Sequence, residues 1–420
     1  MNSFSKEERV AFEDILEGFH DYLILSRNCS KYTTADTEME RSGDVIWRPM
    51  PYIAQSFDGM DQTANFKEST QLSVPATLGF SKSSPWVMDA KELRDALQEN
   101  RLGEAAKQKL ASDVNVAIMN VAANQGTLVV PIATAAGTFD DVAECDTIMN
   151  EQGVGMMDRY LALASRDYNG LSGNLAGRQT LTELPLKAYQ RSFVGMVSSF
   201  ETYKLDYANR IAAAAGGGAL TIDTQVGASN FYTPQATRVA ATGERSNVDN
   251  RYQVVTISAT TNVAAGDCFT IDGVEAVHHI TKQSTGQLKT FRVISVDSAT
   301  TMTISPPIIS NQGNTDPEAQ YQNVEVTAAA AAPITFLNTV AAPINPFWHK
   351  EAIEILPGHY AVPTDSGAAV MRGTTENGIE VVWQKQYDIN TMKTKYRMDI
   401  LFGVANKQPE MTGILLFGQT

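Results

Sequence analysis

The chain has 420 residues, and its 47 acidic and 33 basic side chains give it a formal net charge of −14. A hydrophobic fraction of 43% with 19% charged residues is a globular composition and excludes a disordered chain. The acidic balance argues against a protein that holds nucleic acid on its surface, because phosphate binding needs clustered Lys and Arg. It does not exclude a protein that merely surrounds nucleic acid. The sequence contains no apolar run of the ~18–20 residues that cross a membrane, and its first residues do not match a secretory signal.

The N-terminal segment predicts an amphipathic helix. Ser5 and Glu8 match a capping box. Apolar residues then recur at helical spacing, at Phe12, Ile15, Leu16, Phe19 and Leu23. The pattern leaves two interpretations open: a helix docked on its own domain, or an arm that binds a partner through side chains such as Phe12 and Phe19.

Residues 46–86 have an extended character. The tripeptide Phe57-Asp58-Gly59 and Pro75 are predicted turns, and apolar and polar residues alternate around Val74. An excursion of this length needs a surface to lie on. Phe57 and Asp58 are therefore candidates for contacts with another subunit.

The longest helical pattern runs from about residue 89 to residue 124. One broad apolar face carries Leu93, Leu97, Leu110, Val114, Ile118 and Val121, and Gly126 is a stop signal. A helix of this length favours an elongated molecule. Gly103 is a candidate flex point, since glycine weakens a helix interior by ~1 kcal/mol.

Residues 138–220 mix helical and strand signals. The predicted helices are Phe139–Glu151 and Leu186–Ser199, and the predicted strands are Arg159–Ser165 and Tyr207–Ala214. A run of small residues at 212–218 then marks a boundary, and its glycines are hinge candidates: Gly216, Gly217 and Gly218.

Beyond that boundary the character becomes all-β. The strand candidates are Arg251–Thr261, Asp267–Val274, Thr290–Asp297, Thr301–Ser305 and Tyr321–Thr327. Their spacing predicts a small barrel or sandwich. A second small-residue run at 328–332 closes this module, which indicates a β domain of residues 221–337 inserted into a host fold.

Residues 240–251 concentrate charge in an otherwise charge-poor domain. The charged residues are Glu244, Arg245, Asp249 and Arg251. One interpretation is a solvated loop. The other is an exposed arm that pairs its charges with a neighbouring subunit.

The sequence lacks the common catalytic signatures, such as phosphate-binding glycine loops, zinc-binding helices and nucleophile elbows. Cys29, Cys145 and Cys268 are far apart and match neither a disulfide framework nor a zinc site. His278 and His279 are adjacent in a predicted strand, so they point to opposite sides and cannot easily share a metal ion. We therefore predict a protein that is not an enzyme and that carries no cofactor or metal.

Four segments, in order along the chain, carry a resemblance to a known family. They are DAKELRDALQENRLGEAAKQKLASDVNVAIMNVAANQGTLVV, VDNRYQVVTISATTNVAAGDCFTIDGV, INPFWHKEAIEI and YRMDILFGVANKQPEMTGILLFGQT. In this order the chain resembles the major capsid proteins of tailed bacteriophages with the Hong Kong ninety-seven type fold. It is most similar to those of short-tailed enteric phages that carry an inserted β domain.

The resemblance implies an α+β fold divided into five parts. These are an N-terminal arm (1–45), an extended loop (46–86), a peripheral domain with a spine helix (87–137 and 396–420), an axial domain (138–220 and 338–395) and the inserted β domain (221–337). It implies that residues 242–250 join capsomers, which makes Glu244, Arg245 and Asp249 contact candidates.

The function implied is a structural one. Copies of the chain would form hexameric and pentameric capsomers of an icosahedral shell around double-stranded DNA, with a scaffolding protein and a portal protein as partners. Assembly would take place in the cytoplasm of the host bacterium, and the shell would expand on maturation. The alternatives are a soluble enzyme with an inserted β domain and a surface adhesion protein.

Overall fold

The computed structural model describes residues 6–22, 25–32, 45–51, 53–66, 69–89, 96–177, 194–215, 220–223, 232–362, 367–375 and 378–419. Within these residues the helices are α1 (Lys6–Tyr22), α2 (Ala96–Gln125), α3 (Phe139–Glu151), α4 (Ser165–Gly177) and α5 (Asp316–Tyr321). The strands of the first half are β1 (Ser30–Lys31), β2 (Val45–Pro49), β3 (Ser73–Thr77), β4 (Phe80–Asp89), β5 (Leu128–Ile132), β6 (Arg159–Ala164), β7 (Met196–Val197), β8 (Phe200–Leu205) and β9 (Arg210–Ile211).

The second half is rich in strands. They are β10 (Thr237–Val239), β11 (Arg245–Asn247), β12 (Gln253–Thr256), β13 (Cys268–Val277), β14 (Ser284–Val296), β15 (Thr301–Ser305), β16 (Ile334–Phe336), β17 (Ala342–Pro343), β18 (Asn345–His349), β19 (Ile353–Pro357), β20 (Ala369–Thr374), β21 (Glu380–Asp388), β22 (Lys393–Asn406) and β23 (Thr412–Phe417). The fold is therefore α+β, as expected.

The chain divides into two units. The first comprises Met1–Ile46, Pro75–Met119 and Ile353–Ala405. Its sheet has the order β1-β19-β22-β21-β20, and β4 also pairs with β22. An aromatic cluster lies on this sheet, where Trp86 stacks on Tyr396 with ring centroids 5.5 Å apart and Trp383 lies beside both. Trp383 and Tyr396 are fully buried and Trp86 is partly buried, and large aromatic side chains of this kind dominate the energy of a core.

The second unit comprises Trp47–Val74, Asn120–Ala352 and Asn406–Thr420. It contains a six-stranded mixed sheet of order β5-β23-β18-β6-β8-β7. Helix α3 covers this sheet and buries Val142, Cys145 and Met149, which lie on one helical face. Its N-terminus is a capping box formed by Thr138 and Asp141, so the sequence prediction of Phe139–Glu151 is confirmed to the residue.

A five-stranded antiparallel sheet in the second unit has the order β12-β15-β14-β13-β16. Its core is built from aliphatic residues and from Phe269 and Phe291, which stack at 5.7 Å. All five strands lie inside the segment predicted as the inserted domain. The boundaries of that domain stay a prediction.

Several sequence predictions differ from the structure. Residues 196–199 were expected in a helix, but β7 and a turn occupy them, because Ser198 and Ser199 adopt positive φ angles of 44° and 64°. The rest of that predicted helix lies mostly outside the described residues. The strand expected at Tyr321–Thr327 is absent, and only an isolated bridge joins Val324 to Ala276. Pro75, expected in a turn, lies within β3.

One further strand differs in extent. The strand expected at Tyr207–Ala214 is limited to Arg210–Ile211. By contrast, α2 ends at Gln125, where Gly126 was predicted to stop it. Strand β22 runs without a break from Lys393 to Asn406, and the domain boundary between 395 and 396 stays a prediction.

Candidate assembly surfaces

Residues 240–247 of the charged segment form the outer part of a two-stranded hairpin, and residues 248–251 follow at its base. Strands β10 and β11 pair in antiparallel register, with Val239 opposite Arg245. Gly243, at φ +84°, allows the turn, and its amide donates a hydrogen bond of 2.9 Å to the Ala240 carbonyl. We call residues 237–247 the charged hairpin.

Every residue of the two strands in the charged hairpin is exposed. An isolated two-stranded ribbon that buries no apolar face is marginal in water. Glu244 and Arg245 lie near its tip, and neither has an ionic partner within the described part of the chain. The hairpin therefore presents two free charges of opposite sign to solvent.

The neck of the charged hairpin is rigid, in contrast to its exposed tip. Asn250 is buried, and its amide oxygen accepts hydrogen bonds from the Gln235 amide and the Tyr232 hydroxyl, both at 3.0 Å. Its amide nitrogen donates to the carbonyls of Gln235 and Val248 at 2.8 and 3.0 Å. One side chain thus ties the two sides of the neck together.

Asp249 and Arg251 pair with each other within the chain, and a contact of either with another subunit stays a prediction. The Arg251 guanidinium contacts the Asp249 carboxylate, with Nη2 at 2.6 Å from Oδ2, and its Nη1 donates to the Asn406 carbonyl at 2.9 Å. Its side chain is only 9% exposed. Burial lowers the pKa of Arg251, but the hydrogen bonds that its guanidinium donates to the Asp249 carboxylate, together with the negative charge of Asp249, outweigh burial and raise that pKa overall. These two charges hold the hairpin base to its own chain.

The extended loop is exposed at residues 55–61, which include both predicted contact residues, Phe57 and Asp58. Gly59 turns the chain at φ +98°, and the Gln62 side-chain amide donates to the carbonyls of Asp58 and Gly59 at 3.1 and 2.5 Å. Met60 and Phe66 are also exposed almost completely. Met60 and Phe66 are not among the contact residues predicted from the sequence, although a large apolar residue beside a turn is a usable signal.

The base of this loop is anchored. Leu72 and Val74 pack with Ile309 and Tyr321 in one apolar cluster. The Tyr321 hydroxyl donates to the Thr70 carbonyl at 2.8 Å. The loop is therefore fixed at its base and free at its tip.

The N-terminal helix docks on its own unit, which favours the first of the two interpretations left open. Phe12 is buried, with its ring centroid 5.9 Å from that of Trp383. Lys385 forms an ion pair with Glu8. Phe12 is thus engaged within the chain instead of exposed to a partner, while the side chain of Phe19 lies outside the described part.

Of the hinge candidates, only Gly103 falls in a described part of the chain, because Gly216, Gly217 and Gly218 lie outside it. Gly103 is a site of close approach: a Cβ there would lie 2.9 Å from Cδ1 of Ile15 on α1. Its lack of a side chain makes room for the N-terminal helix. This is a packing reason for glycine that the sequence analysis did not foresee.

The second unit also contains a buried polar seam that was not predicted from the sequence. Three residues of β14 reach other segments, namely Lys289, Thr290 and Arg292. The Thr290 hydroxyl donates to the Thr127 carbonyl at 2.7 Å, and Arg292 donates to the carbonyls of Ala123 and Gly126 at the end of α2. A buried cation at a helix C-terminus offsets the negative end of the helix dipole.

Lys289 completes the seam. Its ammonium lies 2.7 Å from Oε1 of Glu410 and donates to Gln152 Oε1 at 2.6 Å. His279 Nε2 lies 3.3 Å from the other oxygen of Glu410, and the Asn323 amide donates to Oε1 at 3.0 Å. Burial alone raises the pKa of Glu410, but the charges of Lys289 and His279 outweigh it, so that pKa lies well below its usual range.

The described residues contain no cluster of three or more His, Cys, Asp or Glu side chains that could hold a metal ion. The three cysteines are buried and form no disulfide bond, and burial raises the pKa of Cys268 to about 11, so this thiol is protonated at neutral pH. No helix in this part of the chain is long and apolar enough to cross a membrane.

Comparison with known proteins identifies the class to which this chain belongs. A family model described as "P22 coat protein - gene protein 5" matches residues 1–418. The chain therefore belongs to this family of phage coat proteins. It is a major capsid protein that forms an icosahedral shell, self-assembles into capsomers and is located in the virion capsid.

Several solved structures are similar to this chain, each with a low TM-score. A capsid structure of the cyanophage P-SCSP1u is 10% identical, covers 95% of this chain and 89% of its own, and has a TM-score of 0.44. A chain of Mycobacterium phage Che8 is 9% identical with 92% of both chains covered and a TM-score of 0.42. The CUS-3 coat protein I-domain is 40% identical over 29% of this chain and 96% of its own, with a TM-score of 0.23.

Proposed function

We propose that this coat protein assembles with an internal scaffolding protein into a precursor shell that expands when double-stranded DNA is packaged. The capsomers would be hexamers and pentamers, a portal protein would occupy one vertex, and assembly would take place in the bacterial cytoplasm. The chain would have no catalytic role. The observation that carries the proposal is membership of the coat protein family over residues 1–418.

The exposed features support the proposal. The charged hairpin buries nothing in its own chain, and the extended loop presents Phe57, Met60 and Phe66 to solvent. Surfaces of this kind are explained when other copies cover them. Each contact can be weak, because many act together in a closed shell. Of the four charged candidates, Glu244 and Arg245 remain as contacts between capsomers.

The domain assignment is part of the same proposal. Residues 221–337 would be a module set into the host fold, and the segments before and after it would form the host domains. The five-stranded sheet with its own apolar core supports a module of this kind. The charged hairpin would project from it.

The test is co-expression of the chain with and without a scaffolding protein of the same phage. We expect closed shells of uniform size in negative-stain electron microscopy when the scaffold is present. We expect irregular particles or monomers when it is absent. Mild heating of the uniform shells should enlarge their diameter, measured by cryo-electron microscopy. Uniform shells formed without any scaffold, or shells that keep their diameter until they dissociate, would contradict the proposal.

A further inference from the structure

The hairpin that joins β21 to β22 ends in an exposed apolar tip. Three side chains point away from the fold there: Ile389 is 80% exposed, Met392 is 60% exposed and Tyr387 is 41% exposed. They lie within six consecutive residues, and Asp388 pairs opposite Lys393 at the last rung of the ladder. We call Tyr387, Ile389 and Met392 the hairpin knob.

The turn beneath the hairpin knob is preorganised. The Asp388 carboxylate accepts hydrogen bonds from the Asn390 amide and the Thr391 hydroxyl, both at 3.0 Å. These bonds and Lys395 hold the pKa of Asp388 below its usual value. Met392 has a φ angle of 52°, a left-handed conformation that a side chain of this kind rarely adopts. A fixed turn presents its side chains with little entropy left to lose on binding.

The charges around the hairpin knob are balanced. Asp388 lies 3.5 Å from Lys395, and Lys393 lies 3.6 Å from Asp89. The chain as a whole carries a net charge of −14, so copies of it repel one another on approach. At the knob this repulsion is locally compensated, which makes it a suitable place for like chains to meet.

The size of the knob indicates what kind of contact it makes. Three side chains fall well short of the ~800 Å² per partner that a stable pairwise interface buries. A contact of this size is too weak to hold a separate dimer in solution. In a closed shell the same contact is repeated in every copy, and many weak contacts become stable together.

We propose that the hairpin knob docks on an apolar surface of another copy of this chain in the assembled shell. The proposal rests on the shell-forming function and names residues 387–392 as a contact surface in addition to the charged hairpin and the extended loop. The fixed turn sets the direction of the knob. Ile389 and Met392 supply most of the area that becomes buried.

The first test uses variants that keep the turn but remove its apolar surface. In the double variant Ile389→Asn with Met392→Asn, asparagine tolerates the left-handed angle at position 392, so the monomer should unfold in urea at the wild-type midpoint. We expect its rate of shell assembly, followed by light scattering at equal protein concentration, to fall at least tenfold. The control is Ile389→Leu with Met392→Leu, which keeps the apolar area and should assemble within twofold of wild type.

The second test needs no variant. Hydrogen peroxide oxidises exposed methionine to the sulfoxide, so Met392 should react readily in the monomer. Mass spectrometry should show this rate at least fivefold lower in assembled shells, with buried Met398 as the slow reference in both forms. The proposal for the hairpin knob would be overturned, with the shell-forming function left standing, by either of two results. One is a Met392 oxidation rate that is the same in monomer and shell, and the other is an asparagine double variant that assembles like the leucine control. A wild-type chain that forms no shells would overturn the shell-forming function as well.

Discussion

At the scale of single residues, Glu410 is the buried charge whose removal should cost the most stability. It is a buried carboxylate held by Lys289, His279 and Asn323. We predict that Glu410→Gln lowers the free energy of unfolding by about 3–5 kcal/mol, because it leaves the Lys289 ammonium buried without a counter-charge. Urea unfolding followed by circular dichroism measures this loss.

The matched control restores neutrality. Combining Glu410→Gln with Lys289→Met removes the unpaired charge, so the double variant should recover part of the lost stability.

The wild-type chain should also lose stability in acid. Because the pKa of Glu410 is depressed in the folded state, its contribution is full above about pH 5. It falls as the pH drops towards the folded-state pKa. A Glu410→Gln variant as stable as wild type, with the same acid sensitivity, would contradict this account.

Residue-scale contacts of this kind were beyond sequence reasoning. Lys289 and Glu410 lie far apart in the sequence, and no spacing rule relates two charges that only the tertiary fold brings together. The charged loop was visible because its residues are consecutive. Sequence composition did not, however, distinguish exposed Glu244 and Arg245 from Asp249 and Arg251, which pair with each other.

At the scale of elements, the packing of α1 against α2 depends on Gly103. Replacing it with alanine should favour the helix by ~1 kcal/mol, but the new Cβ would meet Cδ1 of Ile15 at 2.9 Å. We predict that Gly103→Ala is more stabilising in an Ile15→Val background, where that methyl group is absent, than in the wild type. Urea unfolding of the four chains of this cycle gives the coupling.

An equal effect of Gly103→Ala in both backgrounds would show that the close approach carries no energetic weight. Two of these chains, Ile15→Val alone and Ile15→Val with Gly103→Ala, also test Gly103 as a flex point. If its flexibility matters in maturation, Gly103→Ala in the Ile15→Val background should slow shell expansion even though the steric conflict has been removed.

The elements predicted best are those whose start, apolar face and end are all marked by residues close together in the sequence. Helix α3 has a capping box, an apolar stripe and a definite end, and the prediction agrees with it at both ends. The helix predicted across β7 was wrong there because Ser198 and Ser199 form a turn at positive φ. Serine is not a residue type that predicts a positive φ angle. The segment 321–327 has strand-like alternation, but side-chain bonds of Asn323 to Pro307 and Glu410 take the place of a ladder.

At the scale of the whole molecule, the charged hairpin is the surface on which shell closure should depend. We predict that Glu244→Lys or Arg245→Glu lowers the yield of closed shells at least fivefold, because each reversal replaces an attraction with a repulsion at every copy of the contact. Sedimentation through sucrose separates shells from unassembled chains. Monomer stability should stay within ~0.5 kcal/mol of wild type, as expected for exposed residues.

The double variant Glu244→Lys with Arg245→Glu is the matched control, since it keeps the net charge and exchanges the two signs. Partial recovery is expected if the two charges face each other across a symmetric contact. Full assembly of each single reversal would show that the hairpin is only a solvated turn.

The neck of the charged hairpin has a mechanical consequence. With Asn250 joining both sides of the neck and Arg251 fixed to Asn406, the charged hairpin is held firmly at its base. A change in shell radius would then have to be taken up at its far end, by side chains that slide and exchange partners. Long, solvated charged side chains such as Glu244 and Arg245 suit a contact whose two sides shift against each other. Each side chain can leave one counter-charge and pair with the next without exposing any apolar surface.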